Sequence, residues 1–571
     1  MISSLDGVPA NPAVVENRVE KNEYFFVGAI IALVILLTTL PYLLAFSVGN
    51  TFVGQIYNIV DYCVYLSWTK QAADGHFSTL NLFTTIKQHG YLFNLLFLLL
   101  GNFVRFSGLS IAVVFQIFRV GGAILLLWIA YLLCRLAYPS SFQARLTAFG
   151  LIGFSSGFGF VYWPQWSDKN VGHFSVDVWQ PEAFTFLSIY VSVLFVVATI
   201  FILTAMYNLV RGELTGRWIY GVNAGICGLV LGNIHSYDVL HIAAAWGLYL
   251  VVVTIAERKF DRGRWLRAVI AGAMTLPTTV YQYWVFKHEP VFHARAETPT
   301  LSPPLFYYAM GYGLVFILAI VGAFLLAKKW AEFSKLFRNN IILTWVCTWA
   351  TAGLTIIYLP VEFQRKMAMG THIPLCILAG GAATYLARSI PERIRSYALC
   401  TLVILTFPTN ALFLLRDYRH IELNRSEISA ANPFLLMQQL DVLTWLRDNT
   451  KEGEAVLALP PIGQFVPGYC DRAVWVGHWS ETPNYGEKLS KLLFMLSSST
   501  PDDVRQRFLE ATGTQYLVYP DDVSDQPIKI GHRQIYLEDF TTDTPSYLTP
   551  VYQTKRVDGD DGGGYIVYRI N

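Results

Sequence analysis

The sequence predicts a polytopic α-helical membrane protein of about eleven spans, with a C-terminal α/β domain on the outer side of the bilayer. Of its 571 residues, 54% are hydrophobic and only 14% charged, and the mean hydropathy is +0.41, a composition far from that of a soluble chain. The apolar residues gather in runs long enough to cross a ~30 Å hydrocarbon core, which takes about 20 residues of helix. After residue 415 those runs stop and charge becomes frequent.

Residues 1–23 carry Glu16, Glu20 and Glu23 and are expected to form a cytoplasmic N-terminus. The run 24–46 is too long for a signal-peptide core and lacks a small-residue cleavage site, so it reads as an uncleaved first span. Further spans are expected near 110–134, 146–162, 183–210, 218–234, 238–256, 267–286, 305–327, 339–359, 371–388 and 396–415. Residues 91–107 are apolar but short and end at Arg105. They are expected to form an interfacial or re-entrant helix within a first outer loop, 47–109.

Charge tests that choice. The formal net charge of +2 says little about partners, but its distribution does. If 91–107 does not cross, the inner loops collect Arg135, Arg145, Arg211, Arg217, Arg258, Lys259, Arg262, Arg264 and Arg267. They go on to Lys328, Lys329, Lys335, Arg338, Arg388, Arg393 and Arg395. That is a positive-inside pattern, and one more crossing would reverse it. The same topology sends His76, His89, His173, His235, His241, His288, His293 and His372 to the outer side, with Asp61, Asp168, Asp177, Glu182, Asp238 and Glu362. A transporter is expected to bury polar groups near the midplane. Here they ring an outer vestibule, so the working face is extracytoplasmic and the membrane is the plasma (inner) membrane.

The tail, 416–571, reads as a small extracytoplasmic domain. MQQLDVLTWLRDNT (437–450) is an amphipathic helix with Leu440, Leu443, Trp445 and Leu446 on one stripe. AVLALP, AVWVG, QYLVYP and YIVYRI read as short buried strands, with helices at 486–497 and 501–512 between them. The GDDGGG run is a turn before the last strand.

Seven dispersed cysteines, without CxxC or ligand spacing, argue against a disulfide framework or a zinc site; a Cys63–Cys470 pair would require both to lie outside. There is no Walker or GxGxxG signature, no internal repeat, and no basic, aromatic-interleaved face for nucleic acid.

The residues that carry chemistry begin with Asp61, in YNIVDYCVYLSWTKQAADGHFSTLNLFTTIKQHGY (57–91). A carboxylate where a first span meets water is costly to keep unless it is used. We read it as a catalytic general base for an acceptor hydroxyl. The bland alternative is a helix N-cap. In GNIHSYDVLHI, His235, Asp238 and His241 are each three apart and share a helical face, suited to a phosphate or a sugar hydroxyl, or simply to a turn between spans. In PVEFQRKMAMGTHIP, Arg365 and Lys366 are the one close basic pair on the outer side, suited to a departing lipid phosphate. A pair with Glu362 is the competing reading, and His372 follows as a substrate contact. Trp163, Trp166 and Trp179 are suited to stacking on a sugar ring, but the reading as interfacial belt residues is the stronger one, and Glu182 beside them is the better substrate contact. Arg119 lies inside a span and must face protein or a cavity, which makes it a candidate phosphate contact. VGHWSETPNYGEK carries His478 and Glu481 between a strand and a helix, as a lid or a polar loop.

An Asp-bearing first outer loop that runs into an interfacial apolar helix, followed by IFRVGGAILLLWIAYLLCR, resembles the GT-C superfamily of membrane glycosyltransferases. The unit is similar to that of the protein mannosyltransferase-like and aminoarabinose-transferase-like enzymes. The resemblance implies a polyprenyl-phosphate-sugar donor, a lipid, glycan or protein acceptor, and a catalytic first-loop acid, here Asp61. Many members carry a second acid beside the first; Val60 and Tyr62 stand there in this chain, which leaves use of a divalent metal open. The function expected is transfer of a sugar to an acceptor hydroxyl at the outer face. The alternatives are a flippase for a lipid-linked saccharide or a non-catalytic assembly subunit.

Overall fold

The computed structural model describes residues 22–49, 51–163, 174–328, 341–425, 433–523, 528–530, 533–555 and 563–571. The N-terminal residues 1–21, Trp166, Asp168, His173, Lys329, Lys335, Arg338 and residues 559–562 of the GDDGGG run lie outside them. The chain divides into two compact units. One comprises Met1–Pro41, Gln116–Tyr283 and Pro299–Asp417; the other comprises Tyr42–Phe115, Trp284–Thr298 and Tyr418–Asn571.

The first unit is helical and spans a membrane. Among the described residues of the whole chain, seven helices are long and apolar enough to cross, or eight if one bent pair counts as a span. All eleven expected spans coincide with helices, and several of these are shorter or interrupted. Ile219–Ile234 has 16 residues, about 24 Å at 1.5 Å per residue, and the described part of the Ile341–Ile356 helix is equally short. Arg262–His288 is continuous, but its middle carries Thr275, Thr278, Thr279 and Gln282. The expected span 183–210 is broken at Ser192, whose extended backbone separates Thr185–Val191 from Val193–Thr215; its hydroxyl caps the second helix at Leu194 N, 3.2 Å away. The last span bends by 49° between Glu392–Leu405 and Pro408–Arg425, where Pro408 opens the second segment. Leu305–Lys328 is kinked at Gly313, whose φ of 51° and ψ of −126° suit glycine alone.

The second unit joins the loop after the first apolar helix to the tail. Its Ile59–Asp74 helix packs against Leu95–Ser107, the 13-residue apolar helix read from the sequence as non-crossing. Gly101 makes the approach possible: a Cβ there would lie 2.4 Å from Ala72 Cβ and 2.6 Å from the Thr69 carbonyl oxygen. Leu96, Phe97 and Leu100 are buried, while Leu95, Leu99, Phe103 and Phe106 present an exposed apolar stripe.

The tail contains a five-stranded mixed sheet. It is built from β1 (Ala455–Ala458), β2 (Ala473–Val474), β3 (Tyr516–Pro520), β6 (Leu548–Gln553) and β7 (Tyr565–Ile570). β2 and β3 flank β1 in parallel, and β7 and β6 follow antiparallel. The four expected strands are present. β6 has no counterpart in the sequence reading because Pro550 interrupts its pattern; it lies at the sheet edge with a register shift between Pro550 and Tyr552, where proline is tolerated. A hairpin of β4 (Ile528–Ile530) and β5 (Arg533–Ile535) was likewise not expected. The helix Met437–Asn449 buries Gln438, Val442, Leu443 and Leu446, so Val442 belongs to the inward stripe and Trp445 instead stacks on Tyr552 at 5.3 Å.

Candidate active site

The Ile59–Asp74 helix opens on Asn58, which takes a left-handed backbone (φ 59°, ψ 48°) and stands at the N-cap. Asp61 therefore sits inside the first turn, where the helix dipole favours a carboxylate, rather than at the cap itself. Asn58 Nδ2 donates to Asp61 Oδ2 at 2.7 Å, and the Asp61 side chain remains 36% exposed. Facing its other oxygen, Oδ1, is His478 Nε2 at 3.5 Å. In the sequence His478 reads as part of a lid or of a polar loop, with no assigned partner.

The loop that brings His478 there follows β2 and is pinned to residues 81–83 by backbone and side-chain hydrogen bonds. Val474 N donates to the Leu82 carbonyl at 2.8 Å, and Thr482 Oγ1 donates to the Phe83 carbonyl at 2.7 Å while accepting from Gly477 N and His478 N. Asn81 Nδ2 donates to both the Glu481 carbonyl and its carboxylate, at 2.9 and 3.1 Å. Glu481, 2% exposed, pairs with Arg295 Nε at 2.8 Å, and the Arg295 guanidinium lies 5.3 Å over the Trp68 ring. The His478 ring packs edge-on to Phe83 at 5.5 Å. Neither Arg295 nor Asn81 stands out in sequence, since each is an ordinary polar residue until its partner is known.

A divalent metal does not fit Asp61 and His478. His478 Nδ1 accepts from Ser480 N and Glu481 N, so in the neutral ring the proton is on Nε2, the atom that faces Asp61. A ligand nitrogen must offer a lone pair. No cluster of three or more His, Cys, Asp or Glu among the described residues could hold a metal ion.

The other expected site residues belong to the first unit. Arg365 and Lys366 lie on the 3-10 turn Gln364–Ala368, packed against Tyr237–Glu257 and Pro181–Ala183. The backbone of Arg365 is fixed by the Thr300 carbonyl at 3.1 Å and by Gln180 Nε2 at 3.0 Å. Its guanidinium lies 5.1 Å over Trp179, and Lys366 Nζ lies 4.9 Å over Tyr237. Neither cation pairs with Glu362 or with any other carboxylate of the described residues. His235 Nδ1 and Asp238 Oδ2 are 2.9 Å apart on the neighbouring turn. His241 turns away from this pair, with Nδ1 at the Met367 carbonyl (3.0 Å) and Nε2 accepting from Trp349. Glu182 is half-buried on Pro181–Ala183.

Two of the expected contacts, His372 and Arg119, are surrounded by protein partners. His372 is buried between Ser155 Oγ at 2.9 Å and Thr185 Oγ1 at 3.0 Å, with Cys376 Sγ at 3.3 Å, so both ring nitrogens are taken by protein. Arg119, 1% exposed, spends its donors on Gln116 Oε1, the Ile189 carbonyl and Thr39 Oγ1. A buried arginine inside a span needs such partners, and here the protein supplies them. All seven cysteines are free, Cys63 and Cys470 included.

No protein-family model and no curated protein matches this chain. Solved structures do. The archaeal oligosaccharyltransferase AglB from Archaeoglobus fulgidus, in complex with an inhibitory peptide and a dolichol-phosphate, superposes with a TM-score of 0.54 over 88% of this chain and 70% of its own. The fold is GT-C. The arabinofuranosyltransferase AftD from Mycobacteria gives a TM-score of 0.52 over 97% of this chain and 40% of its own. The sequence identities are 14% and 13%, so what the GT-C likeness shows is the fold alone. ArnT from Cupriavidus metallidurans matches at a TM-score of 0.48 and 13% identity, over 95% of this chain and 98% of its own. In the GT-C fold of this chain, Asp61 occupies the opening turn of the Ile59–Asp74 helix, which packs against the short apolar helix Leu95–Ser107.

Proposed function

We propose that this protein is an inverting glycosyltransferase that moves a sugar from a polyprenyl-phosphate-linked donor to an acceptor hydroxyl at the outer membrane face. The observation that carries the reading is the Asp61 carboxylate, partly exposed, held by Asn58 and faced by His478, in a chain with the GT-C fold. Asp61 takes the acceptor proton and the acceptor oxygen bonds to the anomeric carbon. The bond from that carbon to the phosphate oxygen breaks, and polyprenyl phosphate leaves as the anion. Arg365 and Lys366, both without a carboxylate partner among the described residues, remain the candidates for phosphate contacts that the sequence reading proposes, and His235, Asp238 and Glu182 its candidates for substrate contacts. AglB, captured with a dolichol-phosphate, supports a lipid-phosphate donor.

The N-terminus is cytoplasmic in this reading. Residues 24–415 form the membrane transferase, and 416–571 lie outside as an extracytoplasmic domain. The acceptor is a lipid, glycan or protein.

Native mass spectrometry of the purified protein and of Asp61→Asn, searched for co-purified polyprenyl-phosphate sugar, tests the proposal. Intact donor is expected to accumulate on the variant and to be depleted on the wild type. Equal donor on both would favour transport of the lipid-linked saccharide. The lack of any lipid-phosphate species on either would point to an assembly subunit.

A further inference from the structure

The His478 imidazole is 1% exposed and bound on one edge only. Its Nδ1 accepts two backbone hydrogen bonds, from Ser480 N at 3.1 Å and Glu481 N at 3.2 Å, and the Ser480 hydroxyl lies 3.3 Å away. Those amides cannot give up their protons, so the Nδ1 lone pair is committed to them. The ring plane is fixed by Phe83, and the loop by Thr482, Asn81 and the buried Glu481. Nε2 has no hydrogen bond within normal length among the described residues, and the group it faces is Asp61 Oδ1 at 3.5 Å.

We propose that His478 is a positioning residue for Asp61. The backbone locks its tautomer and so puts the proton on Nε2, the atom 3.5 Å from one carboxylate oxygen, while Asn58 holds the other. This inference rests, for its catalytic meaning, on the reading of Asp61 as the base.

Two other roles are incompatible with that geometry. A metal ligand needs a lone pair on Nε2, which requires a proton on Nδ1, directly against two N–H groups. A proton relay through the ring needs Nδ1 to release a proton that it does not carry. What remains is a donor. With Oδ1 facing His478 and Oδ2 held by Asn58, the orientation of the carboxylate is set. The 3.5 Å separation is long for a hydrogen bond, and such contacts commonly shorten when substrate closes the site.

The tautomer can be measured without any substrate. In protein labelled with 15N-histidine, the signals lost in His478→Gln identify the ring, and their shifts report which nitrogen is protonated. Protonation on Nε2 alone is expected; a proton on Nδ1, in either a neutral or a charged ring, would overturn the proposal.

Turnover supplies the second arm, with a polyprenyl-phosphate-sugar extract of the source membranes as donor. His478→Phe keeps the ring and loses the donor, and is expected to lower kcat by about ten- to a hundredfold, the range of a hydrogen bond to a charged group. The donor KM should be unchanged. His478→Gln, whose amide reaches the Nε2 position, should recover most of the loss. Wild-type kcat in the folded Phe variant, or a loss that Gln does not rescue, would sink the positioning role. If the wild type itself shows no turnover, the glycosyltransferase reading fails, and the tautomer measurement then decides this proposal alone.

Discussion

The Arg295 guanidinium, from the short segment 284–298, meets the Glu481 carboxylate of the tail at 2.8 Å, inside the unit that carries Asp61. Glu481 is 2% exposed and Arg295 23%, so the carboxylate depends on this partner and on Asn81 for its charge. Removing one member of a buried pair leaves the other uncompensated. Arg295→Met is expected to lower stability by about 3 kcal/mol, measured by denaturation in detergent. Changing Glu481 to Met as well should recover part of that loss, and strict additivity of the two would show that the pair is not coupled.

Gly101 sets the distance between the helix bearing Asp61 and the interfacial helix. Gly101→Ala drives a methyl group into the Thr69 carbonyl and Ala72, and should cost about 1–3 kcal/mol. Gly121, where a Cβ meets nothing within 4 Å, is the control. Gly121→Ala should be neutral or stabilising, by up to about 1 kcal/mol of helix propensity. Equal melting temperatures for the two variants would contradict the packing account.

Loss of charge at Arg365 should fall on donor handling. Arg365→Ala is expected to raise the donor KM by about tenfold or more, because a hydrogen bond to a charged group is lost, while acceptor dependence holds. An unchanged donor KM would remove Arg365 from the proposed site.

Asp177 is fully buried. It accepts from Gly157 N at 2.9 Å and Gly159 N at 3.1 Å, and from the Ser175 hydroxyl. Burial pushes its carboxyl up from the ordinary 3.8 to about 6, against the pull of those hydrogen bonds. Between these values the native state holds a proton that the unfolded chain has lost. The associated stability is complete below the unfolded pKa and disappears as pH rises through about 6, amounting to about 3 kcal/mol at most. Unfolding measured from pH 4 to 8 should show a fall in this window that Asp177→Asn abolishes; an identical slope in the variant would refute it.

Much of the fold was legible because membrane spans are local. Every expected span coincides with a helix, since twenty apolar residues must close their own backbone hydrogen bonds wherever they lie in a bilayer. The breaks at Ser192 and around Pro408 were less visible, because interruptions of a residue or two hardly change the mean hydropathy of a window. In the tail, β6 escaped because Pro550 is admissible only at an edge, and edges are defined by neighbours.

The sequence by itself determined an apolar, many-helix chain, a polar tail with alternating strands and helices, and an acidic residue where the first loop begins. Each follows from residues close together in the chain, through hydrophobic period, turn chemistry and the cost of charge near lipid. Only the tertiary structure decided which polar groups are spent and which are offered. Arg119 and His372 look exceptional in sequence and are consumed by internal hydrogen bonds. His478 looks like part of a polar loop and comes to face Asp61. The reason is that a hydrogen bond between residues at opposite ends of the chain leaves no periodic trace in either, and exists only once packing has brought them together.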